Sequence, residues 1–128
     1  MSDVSRLSHV MIFAKNLAPM VKFYENAFDL VSEPSSDPGY IVLKSKAGAG
    51  IALHALPAAI AECIELTNPP EWRNQTAYKV CFEVTDLDAH RSRILHHGGQ
   101  AKEPWEWERI RFCECTDVEG YVIQIFKR

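Results

Sequence analysis

Apolar and polar side chains alternate over residues 6–14, and this period of two predicts a β-strand. Asn16 follows as a predicted N-cap, and Pro19 lies in the first turn of the helix that comes next. Apolar side chains recur at steps of three and four along this helix, which is expected to end near residues 29–30. The apolar stripe consists of Met20, Phe23, Tyr24, Ala27 and Phe28.

Three short apolar runs follow, separated by turns rich in Pro and Gly, and they predict strands over residues 30–33, 40–45 and 50–55. Strand, helix and three strands make one βαβββ module, over about residues 1–56. A connector over about residues 57–75 carries three prolines and a short predicted helix.

The opening pattern returns about 70 residues later with its apolar positions kept and its polar positions changed. Residues 7–17 read LSHVMIFAKNL and residues 77–87 read AYKVCFEVTDL. His9 thereby corresponds to Lys79. Such a repeat predicts a pseudo-symmetric pair of α+β modules within one domain, residues 1–128.

The second module, over about residues 76–128, repeats the order of elements. Asp86 is the predicted N-cap of its helix, which ends near His97 before two glycines. The predicted strands cover residues 77–84, 101–103, 105–115 and 121–127.

Strand parity divides the side chains between two faces, because successive residues of a strand point to opposite sides. The face expected to pack on the helices is aliphatic or aromatic: Val10, Ile12, Ile41, Leu43, Ile51, Leu53, Val80, Phe82, Ile110, Phe112, Ile123 and Ile125. The opposite face is mixed and polar: His9, Met11, Phe13, Tyr40, Val42, Ala52, His54, Lys79, Cys81, Glu83, Trp107, Arg109, Arg111, Cys113, Cys115, Val122, Gln124 and Phe126. A concave sheet with such a lining suits a small-molecule pocket.

Composition narrows the classes of function. Hydrophobic residues make up 47% of the chain, charged residues 24%, and the net charge is -3. With this net charge we expect no positively charged surface for binding nucleic acid, and no apolar run is long enough to span a membrane. A cytoplasmic location is expected. The four cysteines lack C-x-x-C spacing, which favours free and mostly buried thiols over a zinc site.

Four segments of the chain resemble the glyoxalase, bleomycin-resistance and extradiol-dioxygenase superfamily, also called the vicinal oxygen chelate fold. They are HVMIFAKNL at residues 9–17, KFYENAFDL at 22–30, CFEVTDLDA at 81–89 and DVEGYVIQIF at 117–126. The resemblance implies that the mixed sheets of the two modules curl around a cavity with the helices outside. It also implies a homodimer, and a divalent metal in many members.

Metal ligands in that superfamily come from the first and last strands of each module, which the resemblance places at His9, Ala52, Lys79 and Gln124. Among these, only His9 is a good ligand: an ammonium repels cations, alanine offers no donor, and an amide oxygen is neutral. No metal or other cofactor is therefore predicted. A two-residue shift in register would instead bring His54 to the position of Ala52 and restore a donor.

The predicted function is binding of a small polar or anionic organic molecule in a barrel cavity, with cation and amide donors in place of an ion. The predicted ligand-binding residues are His9, Met11, His54, Lys79, Cys81, Trp107, Arg111, Gln124 and Phe126. No nucleic-acid or membrane partner is expected.

Two alternatives stay open. One is a metal-dependent lyase, isomerase or dioxygenase that acts on a vicinal-oxygen substrate. The other is a metal-independent enzyme in which His9 is the candidate catalytic base. The sequence does not decide between a binding protein and an enzyme, name the ligand or pathway, or place the pocket within one chain or between two.

Overall fold

The computed structural model describes residues 5–128. Its strands are β1 (Val10–Ala14), β2 (Val31–Ser32), β3 (Tyr40–Lys44), β4 (Gly50–Ala55), β5 (Val80–Glu83), β6 (Gln100–Ala101), β7 (Trp105–Trp107), β8 (Ile110–Thr116) and β9 (Val122–Lys127). Its helices are α1 (Leu17–Phe28), α2 (Ala58–Ala61) and α3 (Leu87–His96). None of the helices within residues 5–128 has the length and apolar character that crossing a membrane requires.

The strands form two mixed sheets, one from each repeat of the sequence pattern. The first has the order β1-β4-β3-β2 and the second the order β5-β9-β8-β6, with β7 pairing β8. In both sheets the first strand runs parallel to the last strand of its module, whereas the other pairs are antiparallel. The predicted α+β class with two tandem modules is confirmed.

The sheets do not close into a barrel, so the expectation of a barrel cavity was wrong. Strands β1 and β5 are both free edges, and no ladder of hydrogen bonds within residues 5–128 joins them. The face of each sheet opposite the helices, called the open face below, is therefore largely uncovered in a single chain.

One hydrophobic core lies between the helices and both sheets. The predicted stripe of α1 is buried throughout: Met20, Phe23, Tyr24, Ala27 and Phe28. It packs on Leu43 and Leu53 of the first sheet and on Ile123 and Ile125 of the second. The ring of Phe28 stacks on that of Phe82 with centroids 3.9 Å apart. Both modules thus contribute to the same core.

The predicted strand over residues 105–115 is instead a β-hairpin. Glu108 and Arg109 both have positive φ, 50° and 67°, and reverse the chain between β7 and β8. Because of the turn, Trp107 lies opposite Ile110 rather than in line with Arg111. Side-chain parity changes there, and the faces predicted for residues 110–113 and 115 were inverted.

The inversion moves five residues that had a predicted face: Ile110, Arg111, Phe112, Cys113 and Cys115. Cys113 and Cys115 belong to the core on the helix side, while Phe112 is on the open face with Trp105 and Phe126. Pairing with Gln124 likewise puts Glu114 on the open face.

A tight turn of the second module anchors the helix of the first. The Glu119 carboxylate accepts hydrogen bonds from the backbone N–H groups of Lys15 (2.9 Å) and Asn16 (2.8 Å), just before α1. Asn16 holds the predicted N-cap position, but its own side chain makes no capping hydrogen bond. At Gly120, with φ 88°, a Cβ would overlap the carbonyl oxygen of Glu71. The turn therefore requires glycine at this point.

Candidate functional site

The strand registers of the two modules are equivalent, and they show which residues occupy the positions expected for metal ligands. Val10 pairs with Ile51 in the first module, as Val80 pairs with Ile123 in the second. Ala52 therefore corresponds to Gln124. His54 lies two residues further along β4, where it pairs with Phe13. The shift of register that would have brought His54 to the position of Ala52 does not occur.

Polar side chains on the open face of the first sheet form a cluster of His9, Tyr40 and His54, called the histidine cluster. The Tyr40 hydroxyl is 3.2 Å from His9 Nε2, and the Ser8 hydroxyl is 2.9 Å from His9 Nδ1. Tyr40 and His54 are cross-strand partners, and their ring centroids lie 5.8 Å apart. Two predicted site residues, His9 and His54, thus reach one cluster through Tyr40.

His54 has an unused polar atom in this cluster. Its Nδ1 is buried and has no hydrogen-bond partner within residues 5–128. The ring packs at 5.6 Å from that of Phe13, which is itself 45% exposed. A buried ring nitrogen without a partner is unusual and is readily satisfied by water or a ligand.

The open face of the second sheet carries a charged cluster around Glu114. Lys79 Nζ is 3.1 Å from one carboxylate oxygen of Glu114, and Lys102 Nζ is 3.6 Å from the other. Burial opposes ionisation of Glu114, but the hydrogen bond and charge of Lys79, together with Lys102, outweigh it and lower the pKa of the carboxyl. The positive charge predicted at Lys79 is therefore already balanced.

Glu114 is a site residue that the sequence reasoning missed. It is not among the ligand-binding residues that the sequence predicts. Once the hairpin before residue 110 is recognised, Phe112 is placed on the open face, and Glu114, two residues further along the strand, is placed there too.

Arg111 does not join Lys79. Its two terminal guanidinium nitrogens each lie 3.3 Å from an oxygen of Asp88 in α3, on the helix side of the sheet. The expectation that Arg111 shares the open face was wrong, because the turn at Glu108 and Arg109 reverses parity.

Aromatic side chains cover the outer part of the second open face. Trp105 stacks on Phe112 with centroids 4.4 Å apart and planes at 18°, and Phe112 lies 6.2 Å from Phe126. Trp107 is 60% exposed at the end of the hairpin. Cys81 is exposed on β5 beside Gln124. The predicted residues of this module, except Arg111, thus share one face.

A cavity of about 300 Å³ lies between the edge strands β1 and β5. Its lining is mainly apolar and comes from residues 10–13, from residues 76–78 with Val80, and from residues 121–123, with Tyr24 behind them. Of the predicted ligand-binding residues, Met11 lines it. Within residues 5–128, no hydrogen bond or ion pair links the histidine cluster to the Glu114 cluster.

The side chains at the four expected ligand positions do not fit a divalent ion. His9 is engaged with Tyr40 and Ser8, the equivalent residue Lys79 is a cation paired with Glu114, and Ala52 has no donor atom. Gln124 offers one neutral oxygen. Across residues 5–128, no three His, Cys, Asp or Glu side chains converge as a metal site would need.

Comparison with known proteins gives one family match. A family model described as the Glyoxalase/Bleomycin resistance protein/Dioxygenase superfamily matches residues 6–125. No curated protein is detectably similar in sequence.

Several solved structures have the same fold. A glyoxalase/bleomycin resistance protein/dioxygenase family enzyme from Burkholderia phytofirmans PsJN is 21% identical with a TM-score of 0.77, covering 96% of this chain and 98% of that one. The fosfomycin resistance protein FosX from Listeria monocytogenes is 18% identical with a TM-score of 0.73, covering 98% and 95%. An integron cassette protein from V. Cholerae is 20% identical with a TM-score of 0.66, covering 99% and 98%. At these identities the likeness concerns the fold.

Proposed function

Because the chain belongs to the glyoxalase/bleomycin resistance protein/dioxygenase superfamily, we propose that it binds a small polar or anionic organic molecule directly, without a metal ion. The observation that carries this proposal is the donor set at His9, Ala52, Lys79 and Gln124, in which a lysine and an alanine replace ligands. A cation held by one imidazole and one amide would lack charge compensation.

The surroundings of these positions support a small organic ligand. The cavity between β1 and β5 offers apolar walls from Met11 and Phe13. Beside Phe13 is the unpaired Nδ1 of His54. Mostly apolar lining with a few polar groups is typical of small-molecule pockets, because burial supplies affinity and polar atoms fix orientation.

The pairing of Lys79 with Glu114 determines how an anion would bind. An anionic group reaching Lys79 has to compete with the carboxylate that already lies 3.1 Å away. Removing that carboxylate should strengthen anion binding, and removing the lysine should weaken it. The two changes act in opposite directions, which distinguishes a ligand at this cluster from one bound elsewhere.

The metal question is tested by elemental analysis of protein purified without chelators or nickel affinity resin. A thermal-shift titration with nickel, zinc, manganese and iron(II) accompanies it. We expect far less than one ion per chain and no saturable shift. One tightly bound ion per chain would overturn the proposal in favour of a metal-dependent lyase, isomerase or dioxygenase.

Ligand binding is tested by ligand-observed NMR. The anionic probes are benzoate and phenylphosphonate, and benzamide is the uncharged control compound. Lys79→Met should weaken anion binding and Glu114→Gln should strengthen it, each by roughly 3- to 10-fold, with benzamide little affected. Lys46→Met is the control, since Lys46 lies on the turn between β3 and β4. Equal effects of both variants on all probes would contradict a charged subsite at Lys79.

One contact favours a second candidate, a metal-independent enzyme that uses His9 as a base. Its Nε2 is 3.2 Å from the Tyr40 hydroxyl, an arrangement that can relay a proton. A turnover whose pH profile loses one limb in His9→Ala, and changes in Tyr40→Phe, would support it. Stoichiometric binding without turnover supports the binding protein.

A further inference from the structure

The edge of β1 that faces the cavity carries main-chain groups that β4 does not use. In a parallel pair of strands, alternate residues turn both their N–H and their C=O towards the neighbouring strand, and the residues between them turn both away. The Ala14 C=O accepts a hydrogen bond from the Leu56 N–H at 2.9 Å, so Ala14 and Ile12 face β4. The N–H and C=O groups of Met11 and Phe13 therefore point away from β4, on the side of the cavity.

A tyrosine hydroxyl agrees with this direction and limits the free edge. Tyr121 Oη donates to the Phe13 C=O at 2.8 Å, and the Arg73 guanidinium lies 4.3 Å from the centroid of the Tyr121 ring. No hydrogen bond within residues 5–128 reaches the Met11 N–H, the Met11 C=O or the Phe13 N–H. Within this part of the chain, β1 thus offers a row of donor, acceptor and donor that ends at the tyrosine.

This row is complementary to a single amino-acid residue. In antiparallel pairing, one residue exchanges both bonds with Met11: its C=O accepts from the Met11 N–H, and its N–H donates to the Met11 C=O. In parallel pairing, its N–H still donates to the Met11 C=O, while its C=O accepts from the Phe13 N–H. In either direction, the ligand needs an N–H and a C=O on the two sides of one carbon atom.

The β5 side of the cavity supplies a wall instead of a second row. The Val84 N–H donates to the Phe126 C=O, so the main-chain groups of Phe82 and Val80 face β9. Along β5, the lining of the cavity includes only Val80. Hydrogen bonds to a ligand therefore come from β1, and apolar contacts come from the opposite side.

On the basis of the function proposed above, we propose that the ligand is an N-acyl amino acid, whose amide N–H and carboxylate pair with the edge of β1. Its acyl group would lie against the apolar lining formed by Val80, Val122 and Ile123. A peptide that continued along β1 would need the Phe13 C=O, which the Tyr121 hydroxyl already holds. The edge therefore favours one residue over a longer strand.

The test compares hippurate, which is N-benzoylglycine, with benzoyloxyacetate, in which an ester oxygen replaces the amide N–H. Binding to the unchanged protein is measured by ligand-observed NMR. Hippurate should bind at least about fivefold more tightly, because the ester cannot donate to the Met11 C=O. Equal affinities, or no binding of hippurate, would overturn the proposed ligand class.

A lysine variant separates this test from that of the charged subsite. Lys79→Met should weaken both compounds and leave the ratio of their affinities unchanged, since each keeps its carboxylate. Equal affinities that both fall in Lys79→Met would overturn the N-acyl amino acid and leave the proposed function standing. If neither compound nor benzoate binds, both are overturned.

Amide hydrogen exchange locates the contact on the strand. At saturating hippurate, exchange should slow by at least about tenfold at the Met11 N–H for an antiparallel ligand, or at the Phe13 N–H for a parallel one. Exchange at Ile12, whose N–H faces β4, should not change. Unchanged exchange at both Met11 and Phe13 would overturn the proposed pairing.

Filling the cavity gives an independent check. Ala77 is an exposed residue of the lining, and Ala77→Trp should abolish the preference for hippurate over the ester. Ala58→Trp is the matched control, since Ala58 is exposed on α2 and does not line the cavity. A preference that survives Ala77→Trp would overturn the site. A capped tetraglycine that binds more tightly than hippurate would identify a peptide groove and overturn the single-residue ligand.

Discussion

Asp117 is a buried carboxyl group at the turn that anchors α1. It is fully buried and accepts hydrogen bonds from the Tyr24 hydroxyl (2.7 Å) and from the backbone N–H groups of Glu119 (2.9 Å) and Tyr121 (3.1 Å). Burial raises the pKa of Asp117 to about 6 even though these three donors favour its charged form.

This pKa makes stability depend on pH in a defined direction. Because the pKa is higher in the folded chain than in the unfolded one, the folded state binds the proton more tightly, and stability rises as pH falls from 7 to about 4. The contribution is on the order of 2–3 kcal/mol. Urea unfolding across this range should show the stability of the wild type rising relative to that of Asp117→Asn as pH falls, because the opposite contribution of carboxyls with a lowered pKa, such as Glu114, is the same in both proteins. Parallel pH profiles would contradict this.

At the residue scale, the sequence predicted which positions of the two modules are equivalent better than it predicted the contacts of their side chains. The repeat aligned His9 with Lys79, and the structure keeps Ala52 equivalent to Gln124. The sequence did not indicate that Lys79 would pair with Glu114, because this ion pair joins two strands that are distant in the chain.

At the element scale, α1 depends on a residue far away in the chain. Glu119→Ala should destabilise the fold by about 2–3 kcal/mol, because it leaves the backbone N–H groups of Lys15 and Asn16 without their charged acceptor. Urea unfolding monitored by circular dichroism measures the loss. Glu65→Ala, which removes an exposed carboxylate, is the control and should change stability by less than about 0.5 kcal/mol. Equal losses in both variants would contradict the anchoring role.

The β7–β8 turn has residues poorly suited to its backbone. With φ positive at Glu108 and Arg109, replacement of the pair by Asn and Gly should stabilise the protein by about 1 kcal/mol. Thermal unfolding measures the gain. The same dipeptide at Lys46 and Ala47, where φ is not positive, should give none. A gain at both turns would point to a general effect of the substitution.

This turn also shows why the element boundaries were not fully predictable. The sequence WEWERIRF continues the strand-like alternation through the reversal and contains no Gly, Asn or Pro to mark it. The helices were easier to predict, since the apolar stripe of α1 is buried as its spacing indicated. Local pattern determines an element, but a turn made of charged residues leaves no local signal.

At the scale of the whole molecule, the open faces expose large apolar side chains. Met11, Phe13, Trp105 and Trp107 are each at least 40% exposed. We propose that a homodimer covers them, because such exposure is costly in water. Light scattering after size exclusion should give twice the chain mass at micromolar concentration.

Trp107→Glu should convert the dimer to monomer while leaving the helix content unchanged. Leu95→Glu is the control, since Leu95 is 44% exposed on α3, away from the open faces. A wild-type protein that is monomeric at all concentrations would refute the assembly.

The fold class followed from the repeat, because a duplicated pattern of strand and helix restricts the possible topologies. The separation of the two sheets could not be predicted in this way, because the alternation of side chains within a strand does not indicate whether the edge strands of different sheets pair.

The shared core has a consequence for the history of the chain. Phe28 of one repeat lies against Phe82 of the other, and Glu119 of the second repeat holds the start of the helix in the first. A half-length ancestor with a single repeat would have left that aromatic face bare and that helix end unsupported. Such a chain would need a second polypeptide to complete its core, a contact that two repeats in one chain make intramolecular.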